Sequence, residues 1–394
     1  MSTQPPIARP AGAFRGTIPN AAMGNRLAAL LAVLCLAAAG PAAQSPVAGT
    51  GTIFMGSYSG HITAVEEATE KVTKIPLETG APFVVRLSTD KTRFYVQSAN
   101  QEHFEIVDVR RRQSLDHFTL GDARRHVRAM AFEVDPQHKT MVLVERTATK
   151  LIDRWEIGAP EFIQYDLTAH KVLRTIPWSA DFEPSYYGLA LRFSPDGKLL
   201  YVFGPQILII DTATFEQVES WDLSLPSESG AGRLDPGSFD ESTDQPGFVT
   251  GLFTMQDPIQ KRKLLVVGQI NLGTKTVETF PLGPAPTGGE VSFTIAPDRS
   301  KGHVLHEQIG THELWTVDMT THRVVSRVPV PSRPRMQIRS SSSGQMLYFY
   351  EAGRLIELYS ADASKRLRTI ALDSDMMYGT FVILPAAAAA VAPR

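Results

Sequence analysis

Apolar and polar residues alternate in four short runs between positions 188 and 221. The runs read GLALRF, KLLYVF, ILIID and FEQVESW, and the turn sequences SPDG, GP and DTAT separate them. Short alternating runs between turn clusters are typical of antiparallel strands joined as a meander, and not of βα units. This stretch therefore predicts one four-stranded antiparallel blade.

The end of the third run recurs along the chain as a polar residue followed by a tight turn. Its seven copies fall at Glu66, Asp108, Asp166, Asp211, Asn271, Asp318 and Ser360. Asp and Asn side chains accept hydrogen bonds from the backbone N–H groups of the turn that follows, so we interpret this repetition as structural. A period of about 40 to 50 residues with four strands per unit predicts an all-β fold, a seven-bladed β-propeller.

The first unit has too few strands before Glu66, whereas a lone strand, MMYGTFVILP, follows the seventh unit. We therefore expect the C-terminal strand to supply the innermost strand of blade 1, which closes the ring without an open sheet edge. A single propeller domain is predicted over residues 43–385. A disordered, Ala-rich tail is expected over residues 386–394.

The pattern SPDGKLLYV…ILIIDTATFEQV resembles the YVTN-type β-propeller repeat, with its best match over residues 187–225. The same repeat occurs in propellers similar to the β chain of quinohemoprotein amine dehydrogenase. That resemblance implies an accessory chain of a periplasmic redox complex, which would carry no cofactor itself. YVTN-type propellers serve many roles, so the resemblance is specific for fold and weak for function.

Residues 27–39 are apolar, follow Arg26 and precede small residues, which is the pattern of a secretory signal over residues 1–42. Met23 is an alternative start within this region, and an uncleaved anchor is the alternative to cleavage. A periplasmic or secreted protein is predicted. The only cysteine, Cys35, lies inside this segment, so the mature chain has no disulfide, thiol nucleophile or thiolate metal site. We predict no cofactor and no metal.

Charge favours neither nucleic acid nor an anionic membrane as a partner. Without the three arginines of residues 1–42, the chain has 36 basic and 41 acidic residues, a formal net charge near −5. A protein partner or a small anionic ligand is the expectation instead.

Two longer intervals between repeats mark insertions, residues 146–160 in blade 3 and residues 226–247 between blades 4 and 5. We expect both on one rim of the propeller, and long loops in compact folds are often functional. Alternatively, part of residues 226–247 forms a poor inner strand of blade 5. Partner binding is predicted for Trp155, Asp235, Asp240 and Glu241. The alternatives are that Trp155 packs against its own loop and that the acidic loop is merely solvated.

Three arginines occupy equivalent positions on the predicted inner strands of blades 2, 4 and 7, namely Arg86, Arg192 and Arg339. Inner strands line the central channel, and guanidinium groups bind carboxylates and phosphates through a planar fork of donors. A channel anion site is therefore one hypothesis. The alternative is that each arginine pairs with an acid of a neighbouring blade. Blades 3 and 6 place Ala131 and Thr294 there, so the predicted ring is incomplete.

Three histidines, His303, His306 and His312, cluster in HVLHEQIGTHELW. A zinc-protease arrangement needs a helix, but this segment alternates as a strand, which places His303 and His306 on opposite faces. We expect surface or turn histidines without a metal.

No nucleophile elbow, phosphate loop or dinucleotide fingerprint is present in the sequence. The leading hypothesis is a non-enzymatic exported scaffold that binds a protein or small ligand. The first alternative is the redox-complex accessory chain. The second is a lactonase-like hydrolase, which needs Glu102, His103, His126 and Asp181 to converge at the channel mouth.

Overall fold

The computed structural model describes residues 47–178, 190–204, 206–222, 234–257, 259–286, 291–308, 310–331, 333, 335–351 and 353–386. Over these residues the chain forms 29 strands and one short 3-10 helix. The predicted secretory signal (residues 1–42) lies outside the described residues, as does the tail beyond residue 386. No helix among the described residues is long and apolar enough to cross a bilayer.

The strands are numbered in chain order. The first three blades contain β1 (Thr52–Ser57), β2 (His61–Glu66), β3 (Val72–Pro76); β4 (Pro82–Leu87), β5 (Arg93–Ser98), β6 (His103–Asp108), β7 (Gln113–Thr119); and β8 (Arg125–Val134), β9 (Thr140–Lys150), β10 (Trp155–Ile157), β11 (Glu161–Asp166), β12 (Lys171–Pro177). Blades 4 and 5 contain β13 (Ala190–Phe193), β14 (Leu199–Phe203), β15 (Gln206–Asp211), β16 (Gln217–Asp222); and β17 (Leu234–Phe239), β18 (Phe248–Gln256), β19 (Lys263–Asn271), β20 (Thr276–Pro284). Blade 6 contains β21 (Val291–Ile295), β22 (Lys301–Gln308), β23 (Thr311–Asp318) and β24 (Arg323–Val330). Blade 7 contains β25 (Gln337–Ser340), β26 (Met346–Tyr350), β27 (Leu355–Ser360) and β28 (Arg366–Ala371). The last strand is β29 (Met376–Leu384).

These strands form seven separate antiparallel sheets, six of four strands and one of five. Each sheet is one blade, and the predicted seven-bladed β-propeller is confirmed. The fifth strand of blade 3 is β10, which lies within the predicted insertion of residues 146–160.

Ring closure follows the prediction, because β29 is the innermost strand of blade 1. It pairs antiparallel with β1, with Leu384 opposite Thr52 and Ile383 opposite Ile53. The sheet edge that β1 would otherwise expose to the channel is therefore covered by the other end of the chain.

The recurring turn residues have the structural role that the sequence predicts. Asp211 Oδ1 accepts hydrogen bonds from the backbone N–H groups of Ala213 and Thr214 at 2.8 and 2.9 Å. Asp166 and Asp318 cap their turns in the same way. These backbone hydrogen bonds hold the pKa of each of the three carboxyls below its usual value.

The core is divided among the contacts between blades. Among the described residues, seven clusters of buried apolar side chains occur, and each combines residues of two neighbouring blades. Trp315 of blade 6 packs against Leu252 and Leu282 of blade 5, and Trp221 packs where blades 4 and 5 meet. Both tryptophans therefore act as wedges between blades.

Blade 5 corrects one expectation about residues 226–247. Residues 234–239 form β17, the inner strand of the blade, so this part of the segment is not a loop. The sequence LDPGSF has few strand-forming residues, and its pairing with β18 is interrupted between Pro236 and Phe239. The alternative of a poor inner strand is therefore the correct one.

The same finding corrects the expected common rim for residues 240–247, whereas residues 226–233 lie outside the described residues. Residues 240–247 join the first and second strands of blade 5, whereas residues 151–154 join the extended β9 to β10 in blade 3. In an antiparallel meander these two kinds of connection emerge at opposite ends. We call the end with the first-to-second-strand connections the first-turn end, and the other the insertion end.

Candidate functional site

The three predicted arginines lie on the inner strands of their blades, Arg86 on β4, Arg192 on β13 and Arg339 on β25. Each lies five residues before a turn residue with a left-handed backbone. Those turn residues are Lys91 (φ 59°), Gly197 (φ 73°) and Gly344 (φ 72°). The shared offset places the three arginines at equivalent depths of the central channel.

The structure brings these arginines together around one cavity of about 290 Å³. Thr380 and Phe381 of β29 also line it, together with apolar residues of β4. The described lining contains three guanidinium groups and no carboxylate. The charged groups that line the cavity are therefore all positive and would attract an anion.

Acids of other blades nevertheless contact the same arginines, as the alternative hypothesis expected. Glu133 of β8 is buried, and its Oε2 lies 3.3 Å from Arg86 Nη1 and 3.2 Å from Arg192 Nη1. One carboxylate oxygen of blade 3 therefore bridges the guanidiniums of blades 2 and 4. Arg192 Nη2 also lies 3.7 Å from Asp244 Oδ2.

Glu133, and not Ala131, is the blade 3 equivalent of the arginines. It lies five residues before His138, which has the left-handed backbone of this turn (φ 59°). Pairing between β8 and β9 shifts by one residue between Ala129 and Ala131, which disturbs the alternation. Aligning the Asp-Pro pair at 135–136 with the Ser-Pro pair at 194–195 would have found Glu133 from the sequence.

Arg339 is held from several sides. Its Nε donates to the Phe381 carbonyl oxygen at 2.7 Å and lies 3.4 Å from Asp240 Oδ1. Its Nη1 donates to the Ile338 carbonyl oxygen at 2.7 Å. The Thr294 hydroxyl donates to Asp240 Oδ2 at 2.6 Å, so the residue at the blade 6 position supports this ion pair.

Asp240 corrects the expectation of an exposed acidic loop. Its exposed fraction is 2%, and its carboxylate is paired with Arg339 and Thr294. A buried carboxylate is stable only when it is paired and hydrogen-bonded, so this residue contributes to the channel interior and presents no surface to a partner.

Residues 240–244, the cross-channel segment, cross the channel at its first-turn end. Lys91 of blade 2 donates to the Ser242 carbonyl oxygen at 2.7 Å, and the Ile383 N–H of blade 1 donates to the Ser242 hydroxyl at 3.0 Å. Arg299 of blade 6 donates to the Thr243 carbonyl oxygen at 3.2 Å. Bonds from blades on several sides hold this segment beneath the arginines.

The four residues predicted to bind a partner are not brought together. Asp235 lies in β17, and Glu241 begins the 3-10 helix Glu241–Thr243. Trp155 lies in β10 of blade 3, near the insertion end. Asp240 and Glu241 therefore lie at the first-turn end, whereas Asp235, near the start of β17 in blade 5, and Trp155 of blade 3 lie toward the insertion end on different blades.

Residues 125–129, 146–150 and 155–157 form a three-stranded extension of blade 3. The pairing of β9 with β11 ends at Glu145. Beyond Glu145, Thr149 of β9 pairs with Arg125, and Lys150 pairs with Trp155. Side chains of paired residues share a face of the sheet. One face of the blade 3 extension therefore carries His126, Arg128, Arg146, Ala148, Lys150, Trp155 and Ile157.

An ion pair between a partly exposed arginine and a buried carboxylate anchors the base of the extension. Arg125 Nη2 lies 2.5 Å from Glu145 Oε1, and Glu145 is buried. Burial raises the pKa of Glu145, and Arg125 opposes that rise. The pair ties the inner strand of the extension to β9.

A groove of about 660 Å³ lies beside the extension. Glu102 of blade 2 and His126 of blade 3 meet there, with His126 Nδ1 3.2 Å from Glu102 Oε2. His103 Nε2 lies 4.0 Å from Glu102 Oε1, and the Trp155 ring centroid lies 5.2 Å from that of His126. Three of the four predicted hydrolase residues are thus neighbours. The fourth, Asp181, lies outside the described residues.

The histidine cluster differs from the expectation of surface or turn histidines, because all three are buried strand residues. His303 is 1% exposed, and burial lowers its pKa to about 4. His306 stacks on Trp315 with ring centroids 4.4 Å apart, and burial lowers its pKa as well. Among the described residues, no group of His, Cys, Asp or Glu side chains has the geometry of a metal site.

Comparisons with known proteins assign no function. No family model matches the chain, and no curated protein matches it. Three solved structures that it resembles are Kuenenia stuttgartiensis hydrazine synthase (16% identity, 80% of this chain and 90% of that chain, TM-score 0.44), a protein of unknown function from Desulfotomaculum acetoxidans (14%, 86% and 99%, 0.47), and dihydro-heme d1 dehydrogenase NirN in complex with DHE (12%, 86% and 76%, 0.46). At these identities and scores, the fold assignment rests on the strand pairing described above.

Proposed function

We propose that this protein is an exported, non-enzymatic β-propeller of the YVTN type that binds a protein partner through the blade 3 extension. One observation carries the proposal: three large apolar side chains are exposed together on this extension. Trp155 is 46% exposed, Ile157 is 62% exposed, and Ile152 in the connecting turn is fully exposed. Export is supported by the signal pattern of residues 1–42, and the YVTN label by the repeat over residues 187–225.

The exposed residues have the chemistry of a binding anchor. Aromatic side chains at the centre of interfaces contribute most of the binding free energy, and clustered apolar surface on a soluble protein marks interaction sites. Trp155 and Ile157 are held on paired strands, so little conformational entropy is lost when a partner covers them. The extension therefore provides a preorganised apolar surface.

The same face indicates the charge of the partner. Arg128, Arg146 and Lys150 are exposed beside Trp155, although the mature chain has a net negative charge. Complementary charge accelerates association and selects partners. We therefore infer that the partner offers acidic residues around an apolar side chain.

The edge of β10 suggests how such a segment would bind. Within the described part of the chain, β10 pairs only with β9. An extended partner segment could add to the other side of β10 by backbone hydrogen bonds, as in strand-addition complexes. Such binding would place partner side chains beside Trp155.

Substitution of Trp155 tests the proposal. A partner isolated with the native mature protein should bind Trp155→Ala at least tenfold more weakly in calorimetry, because the anchor is lost. Leu173→Ala, which alters an exposed apolar residue on the outer strand of the same blade, should leave the affinity within about twofold. Equal affinities for the two variants would refute the assignment of this surface.

The accessory chain of a redox complex is the narrower form of this proposal, supported only by the resemblance of the repeat to amine dehydrogenase β chains. It predicts co-purification with a subunit that contains haem or quinone. Native isolation of a colourless monomer would exclude it while leaving other partners open.

A hydrolase is the second candidate, favoured by the contact between Glu102 and His126. Glu102 Oε2 accepts from the Val127 N–H at 3.2 Å and lies 3.2 Å from His126 Nδ1, which would orient the ring so that Nε2 serves as a general base. Hydrolysis of simple lactones by the mature protein, reduced at least 100-fold in Glu102→Gln, would support this function. Absence of turnover above the rate in buffer would reject it.

A further inference from the structure

We propose that the central channel is a binding site for a small dianion, which enters from the insertion end and is bound by Arg86, Arg192 and Arg339 through its carboxylate or phosphate oxygens. The site is distinct from the blade 3 extension and does not depend on the proposed partner.

The acidic partners of the three arginines do not line the cavity that the arginines share. The cavity of about 290 Å³ is lined by Arg86, Arg192 and Arg339 without an acid. Glu133 and Asp244 line a neighbouring space of about 50 Å³, to which Arg86 and Arg192 also contribute. Asp240 and Asp244 line a third space of about 240 Å³ beside the cross-channel segment.

This separation gives the cavity a positive potential without leaving buried charge unbalanced. Three carboxylates compensate three guanidiniums overall, but none of these carboxylates lines the cavity. The resulting array of charges acts as a dipole whose positive end faces the cavity. An anion in the cavity would lie closer to the arginines than to the acids. Its attraction to the arginines would therefore exceed its repulsion from the acids.

The arginines are also held in place before a ligand arrives. Arg339 donates to three backbone carbonyl oxygens, and Glu133 bridges Arg86 and Arg192. Preorganised guanidiniums lose little side-chain entropy when they bind an anion.

Access is from one end. The cross-channel segment lies across the first-turn end, where Lys91, Ile383 and Arg299 bond to it. At the other side of the cavity, the lining residue Phe83 is 48% exposed, and the lining residue Gly379 is also exposed. The cavity therefore reaches solvent toward the insertion end, and the cross-channel segment lies on the other side of the arginines.

The dimensions and walls favour a small ligand with two negative charges. A volume of about 290 Å³ exceeds the roughly 30 Å³ share of a water molecule several times, and suits a small organic acid or a phosphate compound. Val84, Val85 and Phe381 provide apolar walls, which strengthen electrostatic attraction by excluding water. Three converging guanidiniums favour a dianion over a monoanion.

Calorimetry on the mature protein with succinate, inorganic phosphate and acetate tests the proposal at low ionic strength. We expect succinate or phosphate to bind at least tenfold more tightly than acetate, and the tighter of the two identifies the oxygen chemistry. The proposal would be overturned if all three probes bound with equal affinity, or if all three bound with millimolar or weaker affinity.

Substitutions locate the binding. Arg86→Lys and Arg192→Lys keep the charge but remove the planar fork, so each should weaken the preferred dianion at least tenfold. Arg111→Lys, an exposed residue of a blade 2 turn, is the matched control and should change the affinity less than twofold. Thr380→Val, which alters the cavity wall without touching an ion pair, serves if a lysine variant fails to fold. The assignment would be overturned if Arg192→Lys changed the affinity no more than Arg111→Lys does. It would also be overturned if both Thr380→Val and Arg86→Lys kept full affinity.

Discussion

Arg339 Nε lies 3.4 Å from Asp240 Oδ1, so an ion pair joins blade 7 to the end of the blade 5 inner strand across the position of blade 6. Thr294 of blade 6 donates to the second oxygen of the same carboxylate. Three successive blades are therefore connected within the channel by side chains, in addition to the apolar contacts between them. The central channel is a structural junction as well as a candidate binding site.

Removing the Asp240 charge should be strongly destabilising. Asp240→Asn leaves the buried Arg339 guanidinium without its counter-ion, and breaking a buried pair costs about 3–5 kcal/mol. Urea unfolding followed by tryptophan fluorescence measures the change. Asp153→Asn, at an exposed ion pair in the blade 3 turn, is the control and should stay within about 0.5 kcal/mol. A loss below about 1 kcal/mol for Asp240→Asn would contradict the assigned burial.

Burial of His303 predicts a pH-dependent stability. The folded chain lowers the His303 pKa from about 6.5 to about 4, so the unfolded chain binds a proton in this interval and the folded chain does not. The free energy of unfolding therefore falls as pH decreases from 6.5 to 4, by up to about 3 kcal/mol from this group. His303→Leu should flatten that part of the profile, whereas exposed His117→Leu should not. Identical pH profiles for the wild-type and His303→Leu proteins would contradict the prediction.

Ring closure can be tested by truncation. A chain that ends at residue 375 lacks β29, exposes β1 as an open edge and loses buried residues such as Phe381. We expect aggregation in size-exclusion chromatography and a melting temperature lower by at least 10 °C. The matched control ends at residue 386, keeps β29 and should be monomeric with a melting temperature within 2 °C of the full chain. Equal behaviour of the two truncated proteins would disprove the role of β29.

The pair of Arg125 and Glu145 should control the order of the blade 3 extension. Arg125→Ala leaves a buried carboxylate without its cation, and the Glu145 pKa should rise further. Hydrogen exchange should then accelerate at least tenfold in residues 146–157, and not in the sheet of blade 4. Arg124→Ala, at the neighbouring exposed arginine, should leave the exchange of this segment unchanged. If both variants exchange alike, the ion pair does not support the extension.

The features of the fold that could be predicted from the sequence are those that depend on residues close together in the chain. Turn sequences such as SPDG and alternating apolar runs report on adjacent residues, so the blades, the closing strand and the capping role of Asp211 could be recognised. The inner strand β17 could not, because Pro236 and a nearby glycine weaken its intrinsic preference and its pairing with β18 is decided by the surrounding sheet.

The candidate site was predictable only in part for the same reason. A repeat alignment locates Arg86, Arg192 and Arg339, since each has a fixed offset from its turn. The acids that pair with them come from irregular backbone: Glu133 follows a register shift in β8, and Asp240 follows the interrupted strand β17. Burial of the histidines likewise depends on neighbouring blades, which no local pattern reports.

The cross-channel segment changes how cooperatively the propeller should unfold. In a linear array of repeats, each unit is coupled only to its neighbours, so opening can begin at one unit and spread. Residues 240–244 instead bond to Lys91 of blade 2, Ile383 of blade 1 and Arg299 of blade 6. Blades 1 and 2 are not adjacent to blade 5 in the ring. Couplings of this kind turn a closed chain of blades into a network, in which release of one blade breaks bonds to several others. The expected result is a single sharp transition and slow folding, because these contacts join residues distant in sequence.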